Sequence, residues 1–262
     1  MCGIAGYSLS AASAADRTLA AQALLAGIAE RGADAVGYAY SANGGSVEIQ
    51  KQPSGASALL EDVVLPANVT EALVHVRDYT KGHPTIEANN HPIRHGAVVG
   101  VHNGIIFNDD ELMLTHGFER AEPDMTVDSE AIFALAEASD GLPASLEELR
   151  GSMATAWLDE RQPGRVYLAR GVGRPLWIGA GREELFFAST KAALEVVEQY
   201  LHLKLRKREV GEGTFVTAAE GRQVERAKFR PNRDFEEQEL PAVRAPQEAR
   251  FCLQRLAALA TL

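Results

Sequence analysis

Apolar residues recur along this chain in two periods, and the change from one to the other lays out its elements. Gly3–Ser8 is a short run of small and apolar residues, the pattern of a buried strand. Ala14–Glu30 is rich in alanine and leucine at helical spacing, with Gly32 just beyond it as a stop signal. Val36–Ser41 and Ser46–Lys51 predict strands on either side of Asn43-Gly44-Gly45, a strong hairpin signal. Ala72–Arg77 and Ala97–His102 predict two more, separated by a polar loop rich in His, Lys, Asn and Pro. Helical spacing returns at Asn108–His116, Asp128–Ala138 and Thr190–Tyr200. Met153–Asp159 and Arg165–Ala169 flank a Gln162-Pro163-Gly164 turn, and Leu176–Gly179, Leu185–Ala188, Lys204–Arg208, Thr214–Ala218 and Gln223–Lys228 also read as strands. Many strands with a few helices grouped in pairs predict α+β layers, not a doubly wound parallel sheet.

From Pro231 the pattern changes. Pro231–Gln247 is rich in charge and proline, as in a linker or extended arm. Ala249–Leu262 then carries Phe251, Leu253, Leu256, Leu259 and Leu262 near helical spacing. Such a stripe suits a terminal helix docked on its own domain better than one offered to a partner. The expected division is a domain over 2–230, followed by a linker and amphipathic helix over 231–262. A length of 262 residues supports one large core with a tail. The formal net charge of −10 argues against a general binder of nucleic acid or anionic membrane, since both need a basic face. The two cysteines, Cys2 and Cys252, give neither a disulfide framework nor zinc spacing, so no metal site is expected. With no basic n-region and no apolar run of spanning length, a cytoplasmic, thiol-preserving setting is expected.

Within this ordinary composition, position two stands out. Loss of the initiator methionine would leave Cys2 with a thiol nucleophile and a free α-amino group, a base with a reference pKa of about 7.7–8.0. A thiolate attacking a carbonyl needs donors where the oxyanion forms. Asn103 and Gly104 offer a side-chain amide and a backbone N–H at a strand end, although an Asn-Gly turn explains the same pair. Arg77 ends an apolar strand and suits either a structural ion pair or a bidentate grip on a carboxylate. Asp128 opens a helix and suits either an N-cap or an ammonium binder. A carboxylate binder and an ammonium binder together describe an α-amino-acid head group. Cys252 lies in the tail pattern and reads as a packing residue.

Taken in order, these segments closely resemble the glutaminase domain of class II glutamine amidotransferases, which are N-terminal-nucleophile hydrolases. Met1-Cys2-Gly3-Ile4-Ala5-Gly6 is similar to the family's N-terminal signature. Glu30-Arg31-Gly32, with Asp34-Ala35-Val36-Gly37, resembles its RG-x-D-x-x-G turn. Asn89-Asn90-His91-Pro92, His102-Asn103-Gly104-Ile105-Ile106 and Asp128-Ser129-Glu130 resemble three further motifs in the family order. A weaker likeness continues through Leu149-Arg150-Gly151, Leu168-Ala169-Arg170 and Phe187-Ala188-Ser189. It covers about residues 2–220 and is nearest to the amidotransferase halves of glucosamine-6-phosphate synthases and amidophosphoribosyltransferases.

The resemblance implies a four-layer α/β/β/α sandwich of two antiparallel sheets. It implies hydrolysis of the glutamine side-chain amide to glutamate and ammonia through a γ-glutamyl thioester, with no cofactor. Cys2 would be the nucleophile, and Asn103 with Gly104 the oxyanion hole. Arg77, helped by Thr80, would bind the α-carboxylate and Asp128 the α-ammonium, with Arg31 and His91 as supports. Two positions depart from the pattern: Asp78, where an aromatic residue is frequent, and Lys81, where His or Ser is frequent. An acidic Asp78 pointing inward would oppose a substrate carboxylate. Residues 231–262 are too few to hold an acceptor domain. The expected role is therefore the glutaminase subunit of a multi-protein amidotransferase with a separate synthase partner. The alternatives are a free-standing hydrolase of a γ-glutamyl amide and a non-catalytic glutamine-sensing subunit. Self-association stays open.

Overall fold

In a computed structural model, the residues described are 1–42, 45–237 and 240–260. The first half runs β1 (Gly3–Leu9), α1 (Arg17–Ile28), β2 (Ala35–Ser41), β3 (Val47–Gln52), α2 (Ala56–Leu59), β4 (Glu71–Arg77), β5 (Ile93–His95) and β6 (Val98–Ile106). Then come α3 (Asp109–His116), α4 (Glu130–Ala138), β7 (Gly151–Asp159), β8 (Arg165–Arg170), β9 (Trp177–Ala180) and β10 (Glu184–Ala188). The chain closes with α5 (Lys191–Leu201), β11 (Arg206–Glu209), β12 (Thr214–Ala219), β13 (Arg222–Lys228) and α6 (Pro246–Leu259).

The strands form two antiparallel sheets, ordered β11-β9-β10-β1-β4-β2-β3 and β13-β12-β8-β7-β6-β5. Side-chain parity along each strand assigns residues to layers. On β1, Ile4 faces the opposite sheet, whereas Ala5, Tyr7 and Leu9 face a helical layer. On β7, Ala154, Ala156 and Leu158 fill the space between the sheets, and Met153 and Trp157 face the other helical layer. Helices α1, α5 and α6 cover the seven-stranded sheet, and α3 with α4 covers the six-stranded one. This is the expected α/β/β/α sandwich. Among the described residues, no helix is long and apolar enough to cross a membrane.

Local chemistry explains where several elements start and stop. Asp16 caps α1 by accepting a 2.7 Å hydrogen bond from Leu19 N, so the helix begins at Arg17, inside the expected Ala14–Glu30. Thr190 caps α5 in the same way through Ala193 N, at 3.2 Å. The sequence pattern misses β5, a three-residue strand inside the polar loop, because three residues are too few to display a period. The hairpin between β2 and β3 pairs as expected, although Asn43 and Gly44 lie outside the described residues.

The tail helix docks on its own domain, but through only part of the expected stripe. Cys252 and Leu256, four residues apart, are fully buried against the α1 layer, whereas Phe251 and Leu253 are exposed. Leu262 lies outside the described residues. Glu248 secures the start of α6 by accepting from Ser57 N at 2.9 Å and Ser57 Oγ at 3.1 Å. Leu256→Ala is therefore expected to destabilise the protein by about 2–5 kcal/mol in urea denaturation, whereas Phe251→Ala changes stability by less than about 0.5 kcal/mol.

Candidate active site

Three strands bring the candidate residues to one end of the sandwich. The antiparallel register of β1 on β4 sets Gly3 opposite Val76, so Cys2 arrives beside Arg77. Strand β6 delivers Asn103 and Gly104 from the facing sheet. These two residues do not form a turn. They continue β6 opposite Ala154 and Met153 of β7. Gly104 has φ +147°, and a Cβ there would lie 1.9 Å from the Ser152 oxygen, so only glycine fits.

Glycine at position 32 also works differently from a helix stop. Its φ of −178° is ordinary extended backbone. What it provides is close approach: a Cβ would lie 2.3 Å from the Arg77 carbonyl oxygen. The turn after α1 can therefore lie directly on the end of β4, where Arg31 Nε donates a 2.8 Å hydrogen bond to the Cys2 carbonyl. Asp34, two residues on, accepts from Tyr79 N at 2.9 Å and fixes the segment after Arg77.

One pocket is lined by Cys2, Arg77, Thr80, His91, Gly104 and Asp128. A second shares Cys2, Asp78, Thr80 and Gly104 with it and adds Asn103. Arg31 reaches the thiol residue from behind. The structure thus gathers all eight sequence-predicted residues around Cys2.

Their electrostatics are unusual. Arg77 is 2 % exposed, and its acceptors are neutral: Asn90 Oδ1 at 2.6 Å, the Lys81 carbonyl at 2.8 Å and the Gly82 carbonyl. Burial draws its pKa downward, yet a guanidinium stays charged in proteins. Asp128 is equally withdrawn from water. It caps no helix; its Oδ2 accepts a 2.7 Å hydrogen bond from Ile106 N across the gap to β6. Burial, reinforced by nearby Asp109, raises its pKa to about 6. Two buried charges of opposite sign therefore line one pocket, and among the described residues neither has an ion-pair partner.

The donor pair is also in place. Asn103 is fully buried, and neither its amide nitrogen nor its oxygen has a partner among the described residues. A donor left free in the ground state suits an oxyanion that forms only during reaction. The Cys2 thiol is pushed up by burial, with the amino terminus and Arg77 opposing that rise. In the structure Met1 precedes Cys2, and its amino group pairs with the Asp78 carboxylate. His91 stacks on His75 at 4.2 Å, and burial holds both rings neutral. His102 contacts Ser129 Oγ at 2.8 Å through Nδ1 and is likewise held neutral, with a pKa of about 3. Among the described residues, no His, Cys, Asp and Glu cluster is arranged to hold a metal.

The two departures from the expected pattern find definite places. Asp78 does not oppose Arg77. Its carboxylate is taken by the amino terminus and by Arg244 Nε at 3.4 Å. Lys81 turns away to Asp109 at 2.6 Å and Asp110 at 2.9 Å, clamping its loop to the start of α3. Sequence reasoning assigned no role to Asn90, which holds Arg77, or to Asn89, whose Oδ1 accepts from Thr126 N at 2.7 Å and Val127 N at 3.0 Å. Both lie in a quoted motif, which was the available signal. Arg174 and Glu237 pair with each other at the rim of the site and lie in no motif.

Comparison with known proteins agrees with this arrangement. The family model described as a glutamine amidotransferase domain matches residues 80–196. The glutamine–fructose-6-phosphate aminotransferase of Pseudomonas putida is 32% identical over 219 residues, covering 78% of this chain and 34% of that protein. Its counterpart in Methanothermobacter thermautotrophicus is 34% identical over 240 residues, covering 86% of this chain and 39% of that protein. The matched span covers between 23% and 39% of the length of such curated relatives. Among solved structures, the glutamine phosphoribosylpyrophosphate amidotransferase from B. subtilis superposes with a TM-score of 0.69 at 20% identity, covering 87% of this chain and 49% of that one. A glutamine aminotransferase class-II domain protein from Silicibacter pomeroyi gives a TM-score of 0.55 at 14% identity, with 88% of this chain and all of that one covered. These two likenesses concern the fold. Sheet order, motif order and sequence relatives converge: the chain carries a glutamine amidotransferase domain of class II, with the fold of the N-terminal-nucleophile hydrolases.

Proposed function

We propose that the protein hydrolyses the side-chain amide of glutamine to glutamate and ammonia through a γ-glutamyl thioester on Cys2. The observation that carries this reading is the pair of buried, unmatched charges beside the thiol. Arg77 suits an α-carboxylate, and Asp128 suits an α-ammonium. A zwitterionic head group held there presents its side chain to Cys2. Leaving each charge buried without its opposite is costly, and a ligand carrying both would offset that cost.

In this reading, removal of Met1 frees the Cys2 α-amino group, which accepts the thiol proton as sulfur attacks the γ-carbon. Negative charge forming on the amide oxygen meets the Asn103 amide and the Gly104 N–H. The α-ammonium then returns its proton to the leaving nitrogen, the C–N bond breaks and ammonia departs. Water repeats the sequence on the thioester and releases glutamate. Thr80 borders the carboxylate end, while Arg31 and His91 hold Cys2 and the Arg77 loop in place. The two glutamine–fructose-6-phosphate aminotransferases named above extend well beyond the matched span. In this reading the ammonia passes to a partner synthase, in the cytoplasm.

The direct test is glutamate release from glutamine by protein whose intact mass shows Met1 removed. Processed protein that releases no glutamate, with or without co-purifying partners, would refute the reading. Cys2→Ser is expected to fold normally yet accumulate no γ-glutamyl adduct in acid-quenched mass spectra. Asn103→Ala should lower kcat by about 10²–10³, with little change in KM, because its amide acts on the transition state. Only the carboxylate form of Asp128 attracts an ammonium, and its pKa is raised to about 6. Accordingly, kcat/KM for glutamine should lose a further component as pH drops through about 6, below the fall set by protonation of the α-amino base, and Asp128→Asn should be slower throughout and lack that lower component.

A further inference from the structure

Cys2 borders two small pockets that also share Asp78, Thr80 and Gly104. The one with Arg77 and Asp128 takes the head group in the reading above. The one with Asn103 is also lined by Met1, Arg174 and Leu240. Those same three residues border a larger cavity of about 540 Å³, completed among the described residues by Gly173, Glu237, Pro241 and Ala242. In that reading, with the head group in the first pocket and the oxyanion at Asn103, the leaving nitrogen lies toward the second and the cavity it borders. Ammonia is about the size of water, whose share of liquid volume is about 30 Å³. The cavity is more than ten times larger, so ammonia alone does not account for it.

Its walls indicate what would fill it. Arg174 is 7 % exposed, and its Nη2 pairs with Glu237, but its Nε is a buried donor with no partner among the described residues. A buried donor left unmatched is costly, and an oxygen on a ligand would satisfy it. Leu240, Pro241 and Ala242 supply apolar surface for a short carbon skeleton, and the loss of Met1 on processing leaves more room beside them. The wall is held in place: Glu237 accepts from Ser152 Oγ at 3.0 Å, and Arg244 N and Ala245 N both donate to the Glu30 oxygen at 2.9 Å.

We propose that this cavity is a leaving-group subsite and that the protein also cleaves γ-glutamyl amides of amino acids, with the departing residue's carboxylate on the Nε edge of Arg174 that Glu237 leaves free and its side chain against Leu240 to Ala242. This inference rests on the acyl-enzyme reading given above. Cys2 sulfur forms a bond to the γ-carbon and the amide C–N bond breaks. The thiol proton passes through the α-amino group to the departing amine, and a free amino acid leaves. One water then cleaves the thioester, giving glutamate and restoring the thiol.

The test compares γ-glutamylalanine with glutamine on the processed full chain, following alanine and glutamate release. One methylene more or less in an apolar pocket is worth about 10–200-fold, so with alanine seated in the cavity kcat/KM for γ-glutamylalanine is expected within about tenfold of that for glutamine. Ala242→Trp, which fills the cavity, should lower the ratio of γ-glutamylalanine to glutamine kcat/KM by at least about tenfold. If glutamine is hydrolysed but γ-glutamylalanine is more than about tenfold slower, or the ratio is unmoved by Ala242→Trp, the subsite is refuted and the glutaminase reading stands. Failure to cleave either substrate refutes both.

Discussion

Arg77 is carried by the end of β4 to a place where almost no water reaches it, and a charge that cannot be discharged has to be compensated there. The compensation comes from dipoles. Asn90 and the carbonyls of Lys81 and Gly82 turn toward the guanidinium, which fixes the loop that follows β4. Lys81 is then free to face outward, onto Asp109 and Asp110, and this ties the loop to α3. Asp34 holds Tyr79 from the opposite side. Much of the pocket wall is thus a consequence of solvating one buried cation without neutralising it. A carboxylate in the same position would have satisfied Arg77 and left nothing for a substrate to do.

The second charge follows the same logic. Asp128 receives one backbone hydrogen bond and no cation, so it stays poised between its charged and neutral forms. Between the two lies a thiol whose own burial disfavours the thiolate. Arg77 and Asp128 are both destabilised by their surroundings, and in the proposed reading a zwitterion would offset both costs at once beside the thiol. Residues of the irregular segment after β13 lie against the site, with Glu237 on Ser152 and Arg174, and Arg244 on Asp78. A stretch whose composition suggested a linker or extended arm therefore contributes Leu240 to a pocket wall beside Cys2.

Much of the fold was legible in the sequence because both faces of each sheet are covered. Strands buried on two sides become apolar runs, and helices lying on a sheet become amphipathic, so boundaries follow from composition within a few residues. The misreadings share a cause. Asn103-Gly104 has the local preferences of a turn but is drawn into β6 by pairing with β7 over nine consecutive residue pairs. Gly32 has the position of a helix stop but is needed because the Arg77 carbonyl lies against it. In the tail, Phe251 and Leu253 share the apolar stripe with Leu256, yet the neighbouring helix receives Leu256 together with Cys252.

Candidate chemistry divides along the same line. The residue types and their order, from Cys2 through Arg77 and Asn103 to Asp128, are properties of the sequence alone, and they suffice to name a class of reaction. Whether Arg77 is already neutralised, whether Asp78 points at it, and how much space lies beyond the thiol are not. Those depend on burial and on partners far apart in the chain: Cys2 with Arg31, Asn103 with Cys2, Arg174 with Glu237, Asp78 with Arg244. Periodicity reports local preference, whereas desolvation and charge pairing are set by residues that meet only when the two sheets close on each other. The sequence therefore determined which groups are present, and the tertiary structure decided which of them remain unpaired.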